Sequence, residues 1–240
     1  MKIDDVKKLH QKKYRAEFGH FLVEGEHLIL ELEKAAAINP ALGNCELYVT
    51  ENYQDFPSRF TKHLVSEKHM AQISDTKTPQ GIVAVAPLIS TNTSTSANEK
   101  TLYLYEIQDP GNLGTILRSL AWFGNFRCLL SPGSVDPYNP KVVRSSMGAI
   151  FHVPIELDVP LESIATRFNS IAALDMNGKT LSDSSFKQHD CYVFGNEARG
   201  VPRDALQKMD AQPFTVSGCG AIESLNLASA VNMCVYELNR

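Results

Sequence analysis

The sequence predicts an α/β protein in two parts, the second built on a parallel sheet. Beyond about residue 100, five short apolar runs alternate with segments of helical spacing, and this alternation favours parallel strands covered by helices on both faces. Thr91–Lys100 is polar and rich in Ser, Thr and Asn, a composition typical of a linker. We therefore predict domains at 1–95 and 96–240.

The sequence of the N-terminal part predicts that it folds as a small α/β domain. Its helix is expected over Glu26–Ala37, because Leu28, Leu32 and Ala35 recur at helical spacing. Its strands are expected where short apolar runs occur. These runs are 21–23, 47–49 and 82–86.

The C-terminal part supplies the strands of the parallel sheet and a final helix. The helix is expected over Ser224–Leu238, where Leu227, Val231 and Cys234 recur at three- and four-residue spacing. The predicted strands are Leu102–Ile107, Arg127–Leu130, Ile171–Leu174, Cys191–Phe194 and Phe214–Val216.

Composition excludes several classes of function. The chain is 43% hydrophobic, which allows real cores, but no apolar run approaches the roughly 18 residues that span a bilayer. We expect a cytoplasmic protein without membrane contact. Its five cysteines contain no CxxC pair and its seven histidines do not cluster, so we predict reduced thiols and no metal site.

Three polar segments follow predicted strands in the second half. They are DPGNLGTILRSLAWFG at 109–124, VFGNEARGVP at 193–202 and ESLNLASA at 223–230. Ligand sites of α/β folds lie outside the carboxyl ends of the strands, so these segments are expected to converge on one pocket. They contain neither the P-loop nor the GxGxxG pattern, which disfavours nucleoside triphosphates and NAD.

Each polar residue of these segments also has an ordinary structural interpretation. Asn112 stands where a helix N-cap is expected, and Ser224 would be the N-cap of the final helix. Arg118 follows Asn112 by six residues, within reach of the same pocket, but a lone helical Arg is usually a surface charge. Glu197 would ordinarily be a solvated acid.

In their order and in their amino-acid sequences the three segments resemble motifs 1, 2 and 3 of the SpoU (TrmH-like) RNA 2′-O-ribose methyltransferases of the SPOUT superfamily. The resemblance implies an enzyme that uses S-adenosyl-L-methionine (AdoMet). It implies that Arg118 accepts the 2′-hydroxyl proton or holds the adjacent phosphate. The implied catalytic residues are Asn112, Arg118, Glu197, Ser224 and Asn226. The implied cofactor-binding residues are Leu174, Gly195, Gly200, Val216, Gly218 and Leu225.

The same resemblance implies a fold and partners. The C-terminal sheet would be of SPOUT type with a trefoil knot, and QKKYRAEFGHFLVEGEHLILELEKA resembles an L30e-like RNA-binding domain. A homodimer is implied, with rRNA favoured over tRNA as substrate. The chain departs from the pattern at Val216–Gly218, where many members read IPM. The alternatives are a non-catalytic RNA-binding factor of this fold and a SPOUT enzyme that methylates a base.

Basic side chains provide candidate RNA contacts. Residues 1–20 hold six Lys or Arg and three acids, although the whole chain carries −4; a solvated helix face is the alternative interpretation. The segment NPKVVRSSMGAIFHVP (139–154) adds two more basic residues, and its Met147, Ile150 and Phe151 are expected to pack internally. Trp122 is expected to be buried or at a dimer contact. The candidate RNA-binding residues are Lys12, Lys13, Arg15, Lys141 and Arg144.

Overall fold

The structure, a computed structural model, describes residues 1–89, 99–221 and 224–240. Its helices are α1 (Ile3–Lys8), α2 (Lys12–Phe18), α3 (Glu26–Ile38), α4 (Glu67–Ile73), α5 (Pro110–Phe123), α6 (Pro140–Ser146), α7 (Leu161–Arg167), α8 (Arg203–Lys208) and α9 (Leu227–Asn239). Its strands are β1 (His20–Glu24), β2 (Glu46–Val49), β3 (Thr61–Leu64), β4 (Ile82–Pro87), β5 (Lys100–Leu104), β6 (Phe126–Leu130), β7 (Ile155–Glu156), β8 (Ile171–Thr180), β9 (Cys191–Phe194) and β10 (Gln212–Thr215).

The chain forms two compact units, and the first takes in a segment from the middle of the second. One unit comprises Met1–Ser90 with Asp136–His152, and the other comprises Thr91–Val135 with Val153–Arg240. The predicted boundary near residue 95, and most of the predicted linker, lie outside the described residues. The helix α6 therefore belongs to the compact unit that contains the N-terminus.

The first unit is a four-stranded sheet in the order β1-β4-β2-β3. Strand β4 runs antiparallel to both β1 and β2, whereas β2 and β3 are parallel. Helices α1 and α4 bury apolar side chains against this sheet, and Val6 of α1 and Met70 of α4 belong to one cluster with Tyr48. Strand β3 was not predicted, because its side chains are mostly exposed and no apolar run marks it.

The second unit is a six-stranded sheet in the order β10-β8-β9-β5-β6-β7, and every neighbouring pair is parallel. Tyr103 and Val193 pack with residues of α7. Successive strand residues face opposite sides of a sheet, so Leu104 and Phe194 point to the other side, where they are also buried. The predicted parallel sheet with two covered faces is thus confirmed, while the trefoil knot stays a prediction.

A close backbone approach joins the two strands at one edge of this sheet. The pairing of β10 with β8 shifts register between Pro213 and Phe214, and the residues 174–178 of β8 bulge out of it. A Cβ atom on Gly178 would lie 2.5 Å from the backbone of Pro213, so only glycine fits there. After the bulge β8 pairs with β10 again, Lys179 with Phe214 and Thr180 with Thr215, so the two strands end together.

Candidate active site

The polar loops of the second unit meet at the topological switch point of the sheet, where the order of strand addition reverses. Strands β6 and β7 lie on one side of β5, and the later strands β8, β9 and β10 lie on its other side. Leu104 and Phe194, the last residues of β5 and β9, are paired neighbours. Ligands of open parallel sheets bind outside the carboxyl ends of the strands at such a switch point, and the loops holding Asn112 and Glu197 leave from it.

Helix α5 begins with an Asp-Pro pair that frees Asn112 for another role. The Asp109 Oδ1 atom accepts a 2.7 Å hydrogen bond from the Asn112 backbone N–H, and Pro110 occupies the first helical position, where its missing N–H costs nothing. The alternative interpretation of Asn112 as the N-cap was wrong, because Asp109 is the cap. The Asn112 side chain therefore remains available to the site.

A chain of hydrogen bonds joins one residue from each motif. The Asn226 Nδ2 group donates to Asn112 Oδ1 at 2.9 Å. The Asn112 Nδ2 group then donates to Glu197 Oε1 at 3.0 Å. The carboxylate at the end of this chain makes the last bond charge-assisted and hence the stronger kind. The structure thus brings together three of the five predicted catalytic residues.

Helix α9 determines which atoms donate and which accept in this hydrogen-bond chain. Asn226 is the N-cap of α9, and its Oδ1 atom accepts a 3.2 Å hydrogen bond from the Ser229 backbone N–H. With its oxygen bound there, the Asn226 amide can turn only its Nδ2 group toward Asn112. Asn112 must then present its own Nδ2 group to Glu197. The prediction of Ser224 as the N-cap was wrong, since α9 begins three residues later.

Arg118 and Ser224 remain outside this hydrogen-bond chain. Both side chains are exposed. Within the described part of the chain, Arg118 donates no hydrogen bond and forms no ion pair, although Asn112 lies on the same helix. Its guanidinium is therefore free to bind a ligand from solution. Glu223, the first residue of the third motif, lies outside the described residues.

Leu174 lies in the bulge of β8, and the other predicted cofactor-binding residues lie on the loops that follow β9 and β10, the two strands beside β8. Leu174 and Val216 are half-buried and Leu225 is 44% exposed, so apolar surface is open to a planar base. Residues 216–221 donate no backbone hydrogen bond within the described residues, which leaves their amides for a ligand or water. These features fit an adenosine held by backbone groups. The glycines of this set, Gly195, Gly200 and Gly218, lie in the same loops.

The candidate RNA-binding residues fall in the first unit and divide by exposure. Lys12, Lys13 and Lys141 are exposed. Arg15 is 3% exposed, and its Nε atom donates to Asp136 Oδ2 at 2.9 Å while Nη1 donates to the Leu9 and His10 carbonyls. The prediction of Arg15 as an RNA contact does not agree with this burial, and we assign it a structural role.

Arg144 also faces carboxylates. Its Nη2 atom lies 2.7 Å from Asp75 Oδ2 and its Nη1 atom 3.8 Å from Glu24 Oε2. The guanidinium is only partly exposed, so an RNA phosphate would have to displace Asp75. Ile150 and Phe151 are buried as predicted, whereas Met147, with φ +52, is 43% exposed.

Two further predictions concern single side chains and the thiols. Trp122 is 84% exposed, so it is not buried within the chain, and its predicted alternative role at a dimer contact stays a prediction. Cys45, Cys128, Cys191 and Cys234 are buried free thiols, and Cys219 is exposed. Burial raises the pKa of Cys45, Cys128 and Cys234 to about 12, so these thiols stay protonated and unreactive.

Among the described residues no group of His, Cys, Asp and Glu is placed to hold a metal ion, and no helix there is long and apolar enough to cross a membrane.

Sequence reasoning missed the residues that hold the motif loops to each other. Asn196 is buried and its side chain donates to the backbone carbonyl of Glu106. Arg199 forms an ion pair with the Glu106 carboxylate. An Asn side chain at the start of a turn that ends in Gly often accepts hydrogen bonds from backbone N–H groups two or three residues later. This pattern was the sequence signal that could have identified Asn196. No sequence signal marked Glu106.

Two protein-family models and a curated relative match the chain. The SpoU rRNA Methylase family model matches residues 99–236, and the model of the MRM3-like substrate binding domain matches residues 1–84. The 23S rRNA (guanosine(2553)-2′-O)-methyltransferase RlmP of Bacillus subtilis is 32% identical over 244 residues, covering 99% of this chain and 95% of its own.

Solved structures share the architecture over nearly the whole chain. A putative RNA methyltransferase of the TrmH family from Porphyromonas gingivalis superposes with a TM-score of 0.84 at 28% identity, covering 99% of this chain and 96% of its own. An AdoMet-bound rRNA methyltransferase from Sinorhizobium meliloti has a TM-score of 0.83 at 24% identity, covering 98% and 93%. The second likeness shows a common fold.

Proposed function

Since this chain belongs to the SpoU rRNA methylase family, we propose that it transfers a methyl group from AdoMet to a ribose 2′-hydroxyl of rRNA. The observation that carries the proposal is the hydrogen-bond chain from Asn226 through Asn112 to Glu197 at the switch point of the sheet. These side chains come from three segments that are far apart in sequence. They do not pack in a hydrophobic core, since Glu197 and Asn226 are exposed.

The roles of the residues follow from their chemistry. AdoMet supplies a methyl group already activated by a positively charged sulfur, so alignment of the hydroxyl can supply much of the rate. Asn112 and Glu197 hold and orient polar groups at the reaction centre. Arg118 is exposed and a guanidinium keeps its proton in proteins, so we assign Arg118 to the phosphate beside the target ribose. Ser224 completes the site next to Asn226.

The cofactor is assigned to the bulge of β8 and to the loops that follow β9 and β10. Backbone amides near Val216 and Leu225 would hold the adenosine, together with Gly195 and Gly200. The partly exposed side chains of Leu174 and Leu225 would contact the base. Backbone contacts tolerate the departure from IPM at Val216–Gly218, since they do not depend on those side chains.

The RNA is assigned to the N-terminal domain, residues 1–95. Its support is the match of residues 1–84 to a substrate binding domain, together with the exposure of Lys12 and Lys13, whose ammonium groups suit phosphate. Lys141 is also exposed and belongs to the same compact unit through the segment Asp136–His152. We favour rRNA over tRNA because the Bacillus subtilis relative is named as a 23S rRNA methyltransferase.

A homodimer is proposed from an apolar face on α5 and α9. Trp122 is 84% exposed, Tyr236 58% and Met233 45%, and the rings of Phe123 and Tyr236 are in contact across the two helices. Exposed aromatic clusters of this kind mark interaction sites. Arg118 lies one turn before Trp122 on α5, so a partner subunit on this face would border the proposed phosphate site.

The experiment that tests the function is a transfer assay. The purified chain is incubated with radiolabelled AdoMet and, separately, with unmodified rRNA and tRNA, and the methylated position is mapped by resistance of its 3′ phosphodiester to alkali. Label at an alkali-resistant position of rRNA supports the proposal. Label confined to tRNA changes the substrate, label at an alkali-sensitive position indicates base methylation, and absence of AdoMet binding indicates a non-catalytic RNA-binding protein.

A further inference from the structure

One polar side chain lies buried between the two loops that carry Asn112 and Glu197. It belongs to Asn196, which is 7% exposed although residues 197–200 after it are all exposed. A buried amide must have its hydrogen bonds satisfied, because an unsatisfied one costs about 1–3 kcal/mol. Its partners therefore show what the burial achieves.

The oxygen of this side chain shapes the loop that carries Glu197. Asn196 Oδ1 accepts hydrogen bonds from the backbone N–H groups of Ala198 at 3.0 Å and Arg199 at 3.1 Å. The loop is closed by the Gly200 N–H, which donates to the Asn196 carbonyl at 2.8 Å. Gly200 has φ +65, a conformation that glycine adopts without strain. Glu197 thus projects from a turn with a fixed shape.

The nitrogen of the same side chain reaches the other loop. Asn196 Nδ2 donates to the Glu106 carbonyl at 2.8 Å. That peptide is itself fixed, since the Glu106 N–H donates to Ser131 Oγ at 2.7 Å and Glu106 has φ +48. Three residues further on, Asp109 caps the helix that carries Asn112. One amide therefore ties the loop of Glu197 to the loop that leads into the helix of Asn112.

We propose that Asn196 is a positioning residue for methyl transfer, a role that rests on the proposed function. It holds the two loops in the register in which Asn112 bonds Glu197. The second tie between these loops, the ion pair of Arg199 with Glu106, is no substitute: Arg199 is 71% exposed, and exposed ion pairs contribute little. Misplacing a catalytic group by about 1 Å costs on the order of 100-fold in rate.

The test uses Asn196→Asp, which keeps the oxygen acceptors for the turn but removes the N–H donor to Glu106. The expected result is a fall in kcat of about 10- to 100-fold, with the KM for rRNA and the affinity for AdoMet little changed. The control is Asp183→Ala, which removes a comparable side-chain bond to the backbone, from Ser185 N–H at 2.9 Å, and is expected to leave kcat unchanged. Equal kcat values for Asn196→Asp and the parent chain would overturn the proposal.

Two readouts separate positioning from a loss of folding. A protonated carboxyl at position 196 can donate to the Glu106 carbonyl, so the kcat of N196D relative to the parent should rise as the pH is lowered. A ratio that does not change with pH would contradict the proposal.

The second readout is the NMR signal of the Asn112 side-chain amide. It should move in N196D and not in D183A, whether or not the parent methylates rRNA, and an unmoved signal would overturn the proposal by itself. Failure of the parent chain to transfer methyl groups would overturn the proposed function instead.

Discussion

At the scale of single residues, Asn226 joins the stability of a helix to the chemistry of the site. Its Oδ1 atom caps α9 through the Ser229 N–H, and its Nδ2 atom donates to Asn112. An aspartate caps a helix about as well as an asparagine does, and its charge suits the helix N-terminus. It cannot donate to Asn112. The two roles can therefore be separated by substitution.

We expect Asn226→Asp to keep the stability of the chain and to lose most of its methyl transfer. Asn226→Ala should lose both, with about 0.5–2 kcal/mol of stability lost with the cap. Urea unfolding measures the first effect and the transfer assay the second. The separation would be refuted if the Asp variant unfolded as early as the Ala variant, or if it remained fully active.

Arg118 provides the second prediction at this scale. Arg118→Ala should abolish methyl transfer and leave both AdoMet binding and folding intact, because the side chain is exposed and makes no hydrogen bond or ion pair within the described residues. Lys208→Ala is the matched control, since Lys208 is an exposed cation on helix α8 of the same unit. Steady-state kinetics and AdoMet titration check both variants, and an active Arg118 variant would remove the residue from the mechanism.

The identities of the site residues were easier to predict than their bonds. Asn112 and Ser224 were interpreted as helix caps, whereas the capping residues are Asp109 and Asn226. For the first helix the signal was present, because Pro110 at the first helical position places the cap at Asp109. The burial of Arg15 had no local signal, since its partner Asp136 lies 121 positions away.

At the scale of elements, helix α6 and the residues around it complete the first unit. Asp136 pairs with Arg15, the rings of Tyr138 and Phe21 are 4.8 Å apart, and Arg144 faces Glu24 and Asp75. The segment lies between β6 and β7 in the chain, yet its contacts serve the unit of the N-terminal sheet. The folding of this unit therefore depends on residues far beyond the predicted boundary.

We expect Asp136→Ala to destabilise the first unit by about 3–5 kcal/mol, because it leaves the Arg15 guanidinium buried without a counter-charge. The pair is 4% and 10% exposed at its two side chains. A double change, Arg15→Met with Asp136→Leu, should recover most of the loss, since no unpaired charge remains. Urea unfolding followed by circular dichroism gives both values.

The control for this change is the exposed pair of Lys34 with Glu31, whose lysine side chain is 69% exposed. Lys34→Ala should cost less than about 1 kcal/mol. If Asp136→Ala proved as mild as Lys34→Ala, the segment would contribute little to the unit.

Buried strands were predictable and exposed ones were not. The runs that became β6 and β9 are buried along their whole length, which is why apolarity alone marked them. Strand β7 has only two residues, too few for a pattern. Strand β5 ends at Leu104, earlier than predicted, because the chain turns at Glu106 with a positive φ.

At the scale of the whole molecule, the order of the strands decides where the site forms. Apolar runs predict that strands exist, but not which strands are neighbours. The site depends on β5 and β9 lying side by side, although β6, β7 and β8 come between them in the chain. Before the structure, these segments were linked by their position after predicted strands and by their resemblance to a family, and only the resemblance supplied the predictions of a knot and a dimer.

The dimer can be tested through the most exposed aromatic side chain. Trp122 buries little of its surface in the single chain, and a Trp covered at an interface removes about 150–250 Å² from water. We expect the parent chain to sediment as a dimer and Trp122→Glu to sediment as a monomer that remains folded. The charge would be buried without a partner in the dimer, whereas in the monomer it is solvated.

The matched control is Ile38→Glu, because Ile38 is an apolar side chain of the first unit with 78% of its surface exposed. It should remain a dimer, since it lies outside the face on α5 and α9. If Arg118 acts beside a partner subunit, the Trp122 variant should also lose methyl transfer while still binding AdoMet. Dimeric behaviour of the Trp122 variant would exclude this face as the contact, and a monomeric parent chain would exclude the homodimer itself.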